Sequence, residues 1–257
     1  MSPAPADASE QSPKAKPLSS SANARKESAD IMNVAVLGDS QSTGGYGNRL
    51  SELIRFASKQ RLVYFAAASS SRISGWLNGG FTPIPSNGYF GCDSGSAQRS
   101  CTPTLQAGRK TEAIATILAN HPAVDLYLVT LGDNHFFDPA SVNSELPRLI
   151  KTILGSGAKC AFVTPTEGLG QFANKLTLIA NLKSAVNSVK SEIGKTCTLI
   201  DSYTVGGDVL RTDEDLYVMR SAVLADPMRL HPQGVGARLW AERVFDALLK
   251  NELLTRQ

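Results

Sequence analysis

The chain predicts a three-layer α/β fold, with a parallel five-stranded sheet lying between two layers of helices. Three observations carry this prediction. Short, continuously apolar runs recur along the sequence, helix-spaced apolar patterns separate them, and two long polar connections interrupt the alternation. Apolar runs of this kind are expected of strands covered on both faces, and strands alternating with helices imply right-handed βαβ units.

Before the first strand, residues 1–30 are rich in Ala, Ser, Pro and Lys and contain no aromatic. Such a segment buries too little apolar surface to offset its ordering entropy, so it reads as a disordered linker ahead of a folded domain over residues 31–257. It lacks the apolar central region of a signal peptide, and a tail of this kind suits a chain whose signal has been removed.

The strands follow as Met32–Leu37, Leu62–Ala67, Asp125–Leu131, Lys159–Thr164 and Thr196–Ile200. Between the first two, Arg49, Leu50, Leu53, Ile54 and Ala57 keep i, i+3, i+4 spacing. The same spacing links Ala113, Ile114, Ile117 and Leu118, then Leu146, Leu149, Ile150 and Ile153, then Leu176, Ile179, Leu182, Val186 and Val189. A last helix over Gly234–Leu254 places Leu239, Val244, Leu248 and Leu249 on one side. Five strands in this sequence suit a flavodoxin-like order. The connections Ala68–Gly108 and Asp201–Leu230 show no clear helix and read as long functional loops. Both leave the carboxyl ends of strands, where open α/β sheets bind ligands.

Composition narrows the class. No run of eighteen apolar residues occurs, so no segment is suited to span a membrane as a helix. The net charge of +3 is concentrated partly in the tail (Lys14, Lys16, Arg25, Lys26), without a basic face interleaved with aromatics, which argues against nucleic acid as the partner. Four cysteines permit three pairings, the simplest being Cys92 with Cys101 and Cys160 with Cys197; the alternative is four reduced thiols. No C-x-x-C occurs and no His lies near, so a metal site is not expected. The pattern favours an oxidising compartment, periplasmic or secreted.

The chain has three histidines. His121, before Pro122 at a helix end, reads as a surface or capping residue. His135 follows the third strand in Gly132-Asp133-Asn134-His135, and His231 precedes the last helix in Leu230-His231-Pro232. Ser40 follows the first strand in Val36-Leu37-Gly38-Asp39-Ser40. Loops after strands one and three emerge on the same edge, and a loop entering the last helix can return there. That gathers a hydroxyl, an amide and an imidazole from distant parts of the chain. A serine hydroxyl needs an imidazole to take its proton, and the oxyanion formed on attack needs aimed donors. Singly, Ser40 also fits a turn or helix cap and Asn134 a turn residue.

Together, Gly38-Asp39-Ser40, Gly132-x-Asn134 and the late His231-Pro232 resemble the first, third and fifth blocks of the SGNH (GDSL-type) hydrolases. The resemblance runs from about Met32 to Leu249. It implies Ser40 as nucleophile, His231 as general base, Asn134 as an oxyanion donor beside the Ser40 amide, and ester hydrolysis without metal or organic cofactor. In the second block, where the family carries a glycine whose amide faces the oxyanion, Ser70 is the best match in Ala68-Ser69-Ser70-Ser71-Arg72. Asp39, Arg72, Trp76 and His135 are candidate substrate-facing residues.

Two further positions depart from the family pattern. His135 stands where the family has Asp after its Asn, and Met228 stands where an acid precedes the His by three residues. The nearest acid is Asp226. Either the loop bulges so that Asp226 orients His231, or a carbonyl or water holds a Ser-His dyad, or the site only binds.

Polar, aromatic-containing loops suit an O-acyl esterase acting on an acylated glycan, such as an acetylated cell-envelope polysaccharide or peptidoglycan, with Gly79–Cys101 as either a sugar-binding wall or a disulfide-closed surface loop. An O-acyltransferase using the same site and a non-catalytic glycan-binding protein are the alternatives. A metallophosphoesterase would need more His and carboxylate ligands. Gly44-Gly45-Tyr46-Gly47 is not a dinucleotide fingerprint, and no G-x-S-x-G elbow surrounds Ser40.

Overall fold

The computed structural model describes residues 31–84, 88–95, 99–166, 174–203, 207–226 and 231–255. The expected linker, residues 1–30, lies outside them. Fourteen elements follow in chain order. They are β1 (Met32–Gly38), α1 (Gly45–Phe56), β2 (Gln60–Ala68), α2 (Ile73–Asn78), β3 (Tyr89–Asp93), β4 (Thr104–Leu105) and α3 (Ile114–Asn120). The second half holds β5 (Leu126–Thr130), α4 (Val142–Gly155), β6 (Lys159–Val163), α5 (Lys175–Ile193), β7 (Thr198–Ile200), α6 (Asp213–Leu224) and α7 (Gly234–Lys250).

The sheet order is β4-β3-β2-β1-β5-β6-β7. Its five parallel strands, β2-β1-β5-β6-β7, reproduce the flavodoxin-like order expected from the apolar runs. The strand count is corrected from five to seven, because β3 adds to β2 and β4 to β3, both antiparallel. Side chains alternate between the two faces with the period of a strand. Leu37, Ala66, Val129 and Phe162 face one core with α4 and α5, whereas Val36, Ala67, Leu128 and Val163 face the other with α1 and α7. On the second side, Tyr46 of α1 stacks on Trp240 of α7 with ring centroids 3.8 Å apart.

Both long connections contain more structure than expected. Thr212 caps α6: its hydroxyl accepts the Asp215 N–H at 3.0 Å, and three acids follow in the first turn of the helix. Those acids suit the positive end of a helix dipole. Within Gly79–Cys101, the expected sugar-binding wall or surface loop, Tyr89–Asp93 form a strand: Tyr89 and Phe90 are buried where β3 pairs with β2, and Phe90 meets Phe65 edge-on at 5.6 Å. Disulfides join Cys92 to Cys101 and Cys160 to Cys197, the simplest pairing of the three. No described helix is long and apolar enough to cross a membrane.

Candidate active site

The site forms at the carboxyl ends of β1, β2 and β5 and at the entrance to α7. Gly38 ends β1, and a Cβ there would stand 2.3 Å from the Ser42 Cβ, so only glycine lets the chain turn this tightly. Asp39 then caps a 3-10 turn over Ser40–Thr43 by accepting the Gln41 N–H at 3.0 Å. Ser40 is the first residue of that turn. Its Oγ lies 2.9 Å from Nε2 of His231, across 191 residues of sequence.

Asp226 follows α6 and is buried. Its Oδ2 accepts the main-chain N–H of His231 at 3.1 Å, while the ring Nδ1 stands 3.8 Å from the same oxygen. The second distance exceeds a hydrogen bond. The carboxylate therefore anchors the His231 backbone and stands beyond hydrogen-bond reach of the ring Nδ1. Met228, the position where the family pattern would place an acid, lies outside the described residues.

Asn134 sits in a 3-10 turn over Asp133–His135, entered through Gly132 at φ 118°. A side chain at Gly132 would be strained and would meet the Leu182 Cδ2 at 2.8 Å. Asn134 Nδ2 donates to the Ser71 carbonyl at 2.9 Å, so the third-block amide is fastened to the second-block loop. One residue earlier, Ser70 adopts φ 63°. This is the left-handed conformation that favours glycine, the residue that the resemblance leads one to expect there.

The four candidate substrate-facing residues fall into two groups. Arg72 is half-buried beside this loop. Asp39, Trp76 and His135 are corrected to interior roles, each at 1 % exposure or less. Trp76 donates Nε1–H to Ser71 Oγ at 3.1 Å and so props the loop that holds Asn134. His135 Nε2 accepts the Ile73 N–H at 3.0 Å, opening α2, and Nδ1 lies 2.8 Å from Ser141 Oγ. Because Nε2 accepts, Nδ1 carries the proton. His121 is likewise interior: it caps α3, and its Nε2 stands 3.4 Å from Asp93 Oδ2.

Burial, reinforced by the Arg72 charge and opposed by Asp138, lowers the His135 pKa from 6.5 to about 4. The unfolded chain therefore binds a proton between these values that the folded chain refuses. The stability carried by the neutral ring is complete above pH 6.5 and lost as pH falls towards 4, about 3 kcal/mol across the window. Urea unfolding at pH 7 and pH 4.5 is expected to show a larger acid loss for wild type than for His135→Gln. Equal losses would remove His135 as the cause.

Sequence reasoning missed the polar cluster below Ser40. Asp39 Oδ2 accepts the Asp133 N–H at 3.2 Å, and Gln41 Nε2 donates to Asp133 Oδ2 at 2.6 Å. Lys175, buried at the start of α5, pairs with Asp133 Oδ1. Burial first, and then the Asp133 charge, raise the Asp39 pKa from 3.8 to about 7, against two backbone hydrogen bonds and the Lys175 charge. The only sequence signal was an acid within the Gly132-x-Asn134 block. Among the described residues, no group of three or more His, Cys, Asp or Glu is placed to hold a metal ion.

No protein-family model and no curated protein matches the chain. Solved structures do. A DUF4886-family protein from Bacteroides uniformis has a TM-score of 0.54 at 16% identity, over 86% of this chain and 84% of that one. An acetyl xylan esterase has 0.51 at 13% identity, over 84% and 100%. An acetyl esterase mutant with acetate ion has 0.50 at 10% identity, over 87% and 100%. At these identities the likeness is one of fold.

Proposed function

We propose that this protein is a serine ester hydrolase of the SGNH type, removing O-acetyl groups from a cell-envelope polysaccharide or peptidoglycan outside the cytoplasm. The 2.9 Å approach of Ser40 Oγ to His231 Nε2 carries the proposal. Likeness of fold to an acetyl esterase and an acetyl xylan esterase supports the acetyl ester, and two disulfides support an oxidising compartment.

In this reading Ser40 Oγ attacks the acyl carbon as its proton passes to His231 Nε2. The oxyanion is met by the Ser40 and Ser70 amides and by Asn134 Nδ2, one of whose two hydrogens is engaged by Ser71. The acyl–oxygen bond to the sugar breaks, and the leaving hydroxyl takes the proton back from His231. Water then repeats the sequence on the acyl-enzyme. The test is acetate release from a chromogenic acetyl ester, together with labelling by a serine-directed phosphonate. A properly folded protein that releases no acetate and takes no label would end the esterase reading.

Because Asp226 stands 3.8 Å from Nδ1, it supports the imidazolium by charge without a direct bond. Asp226→Asn is expected to lower kcat/KM by about 10- to 100-fold, well below the roughly 10⁴-fold cost of losing a directly bonded triad acid. Steady-state kinetics on the same ester decide this. A loss of the larger size would mean that Asp226 closes onto the ring during turnover.

A further inference from the structure

We infer that Lys175 is a positioning residue for the Ser40 site: by pairing with Asp133, it clamps the loop that carries the nucleophile to the loop that carries Asn134. This inference rests on the esterase reading of the same site. The clamp spans three elements. Asp39 and Gln41 flank Ser40 after β1, Asp133 adjoins Asn134 after β5, and Lys175 opens α5. Asp39 binds the Gln41 and Asp133 amides with its two oxygens, at 3.0 Å and 3.2 Å. Asp133 returns the link by accepting Gln41 Nε2 at 2.6 Å and pairing with Lys175. Ser40 and Asn134 are thus each joined, one peptide away, to the same buried cluster.

The electrostatics explain why the cluster needs a cation. Asp39 has 1 % exposure and faces the carboxylate of Asp133. Two carboxylates sharing a buried site repel, and each raises the other's affinity for a proton. Lys175 supplies the opposite charge, and its side chain keeps 9% of its exposure. The charged groups that act on Asp39 are Asp133 and Lys175, and Asp39 in turn helps to hold the proton on Tyr46 of α1, whose hydroxyl lies 3.3 Å from Thr130 Oγ1. Removing the ammonium leaves Asp133 with no charge partner in this cluster. A buried pair broken on one side is strongly destabilised. The cluster is relieved in two ways, by holding a proton to higher pH and, while both carboxylates stay charged, by parting the two loops, which would separate the nucleophile from the oxyanion donor.

The experiment compares wild type, Lys175→Met, Lys175→Arg and the double variant Asp133→Asn/Lys175→Met. Two readouts are taken: amide hydrogen exchange of residues 39–43 and 131–136, and kinetics on an acetyl ester across pH. In Lys175→Met both segments are expected to lose protection together. Its kcat should fall by about 10²-fold, the scale of a misplacement of roughly 1 Å, with KM within threefold of wild type. Its kcat–pH profile should move to higher pH, since carboxylates without their cation hold a proton longer. Lys175→Arg should recover most of kcat, and the double variant should restore both the exchange pattern and the profile by removing the unpaired charge. Unchanged exchange in Lys175→Met overturns the clamp. Loosened loops with unchanged kcat and profile overturn its positioning role. Exchange is read whatever ester the site cleaves, so absence of turnover in wild type would count against the esterase reading alone.

Discussion

Replacing Ser40 with alanine is expected to lower turnover of an acetyl ester by about 10⁴- to 10⁶-fold, the scale seen when an activated nucleophile is deleted. The expectation follows from the position of Oγ. It points at His231 Nε2 at 2.9 Å, while the turn is held by contacts that alanine keeps. These are the Asp39 carboxylate on the Gln41 N–H and the Thr43 hydroxyl on the Ser40 carbonyl at 2.9 Å. Thermal unfolding should therefore stay where wild type has it. The variant should also resist the serine-directed phosphonate. Wild-type turnover by Ser40→Ala would show that another group attacks the ester.

Replacing His231 with alanine should cost a comparable factor, again about 10⁴- to 10⁶-fold in kcat. In the proposed mechanism Ser40 and His231 act as one unit, so the double variant should be no slower than either single variant by more than a few fold. Additive losses would mean that the two side chains contribute independently and that proton transfer from Oγ passes elsewhere. Stability is a useful control here. Asp226 holds the His231 backbone N–H at 3.1 Å, a contact that survives truncation of the ring.

Much of the fold was legible in the sequence because its physical cause is local. The five parallel strands are apolar on both faces, and the helices that cover them keep a helical period. β3 was not legible, since Tyr89-Phe90-Gly91-Cys92 sits among Gly, Ser and Pro and becomes a strand only by pairing with β2. α6 was not legible either, because its apolar residues keep only weak amphipathic patterning. At the candidate site, residues that occupy fixed places in short motifs (Gly38, Ser40, Asn134, His231) could be proposed from the sequence. Residues that matter through distant partners could not. Nothing near Lys175 announces Asp133, 42 residues earlier, and nothing in His135 itself announces that its ring is spent on Ile73 and Ser141.

The sheet's two margins have a further consequence, for how the molecule behaves in a crowd of its own copies. β4 contributes two residues at one margin and β7 three at the other. A ladder that short offers an incoming strand few hydrogen bonds, and short margins are one way in which sheet proteins avoid joining edge to edge. The antiparallel pair β3–β4 therefore does more than extend the core. It places a two-residue stub where the nine residues of β2 would otherwise stand open, and turns a long sticky rim into a blunt one.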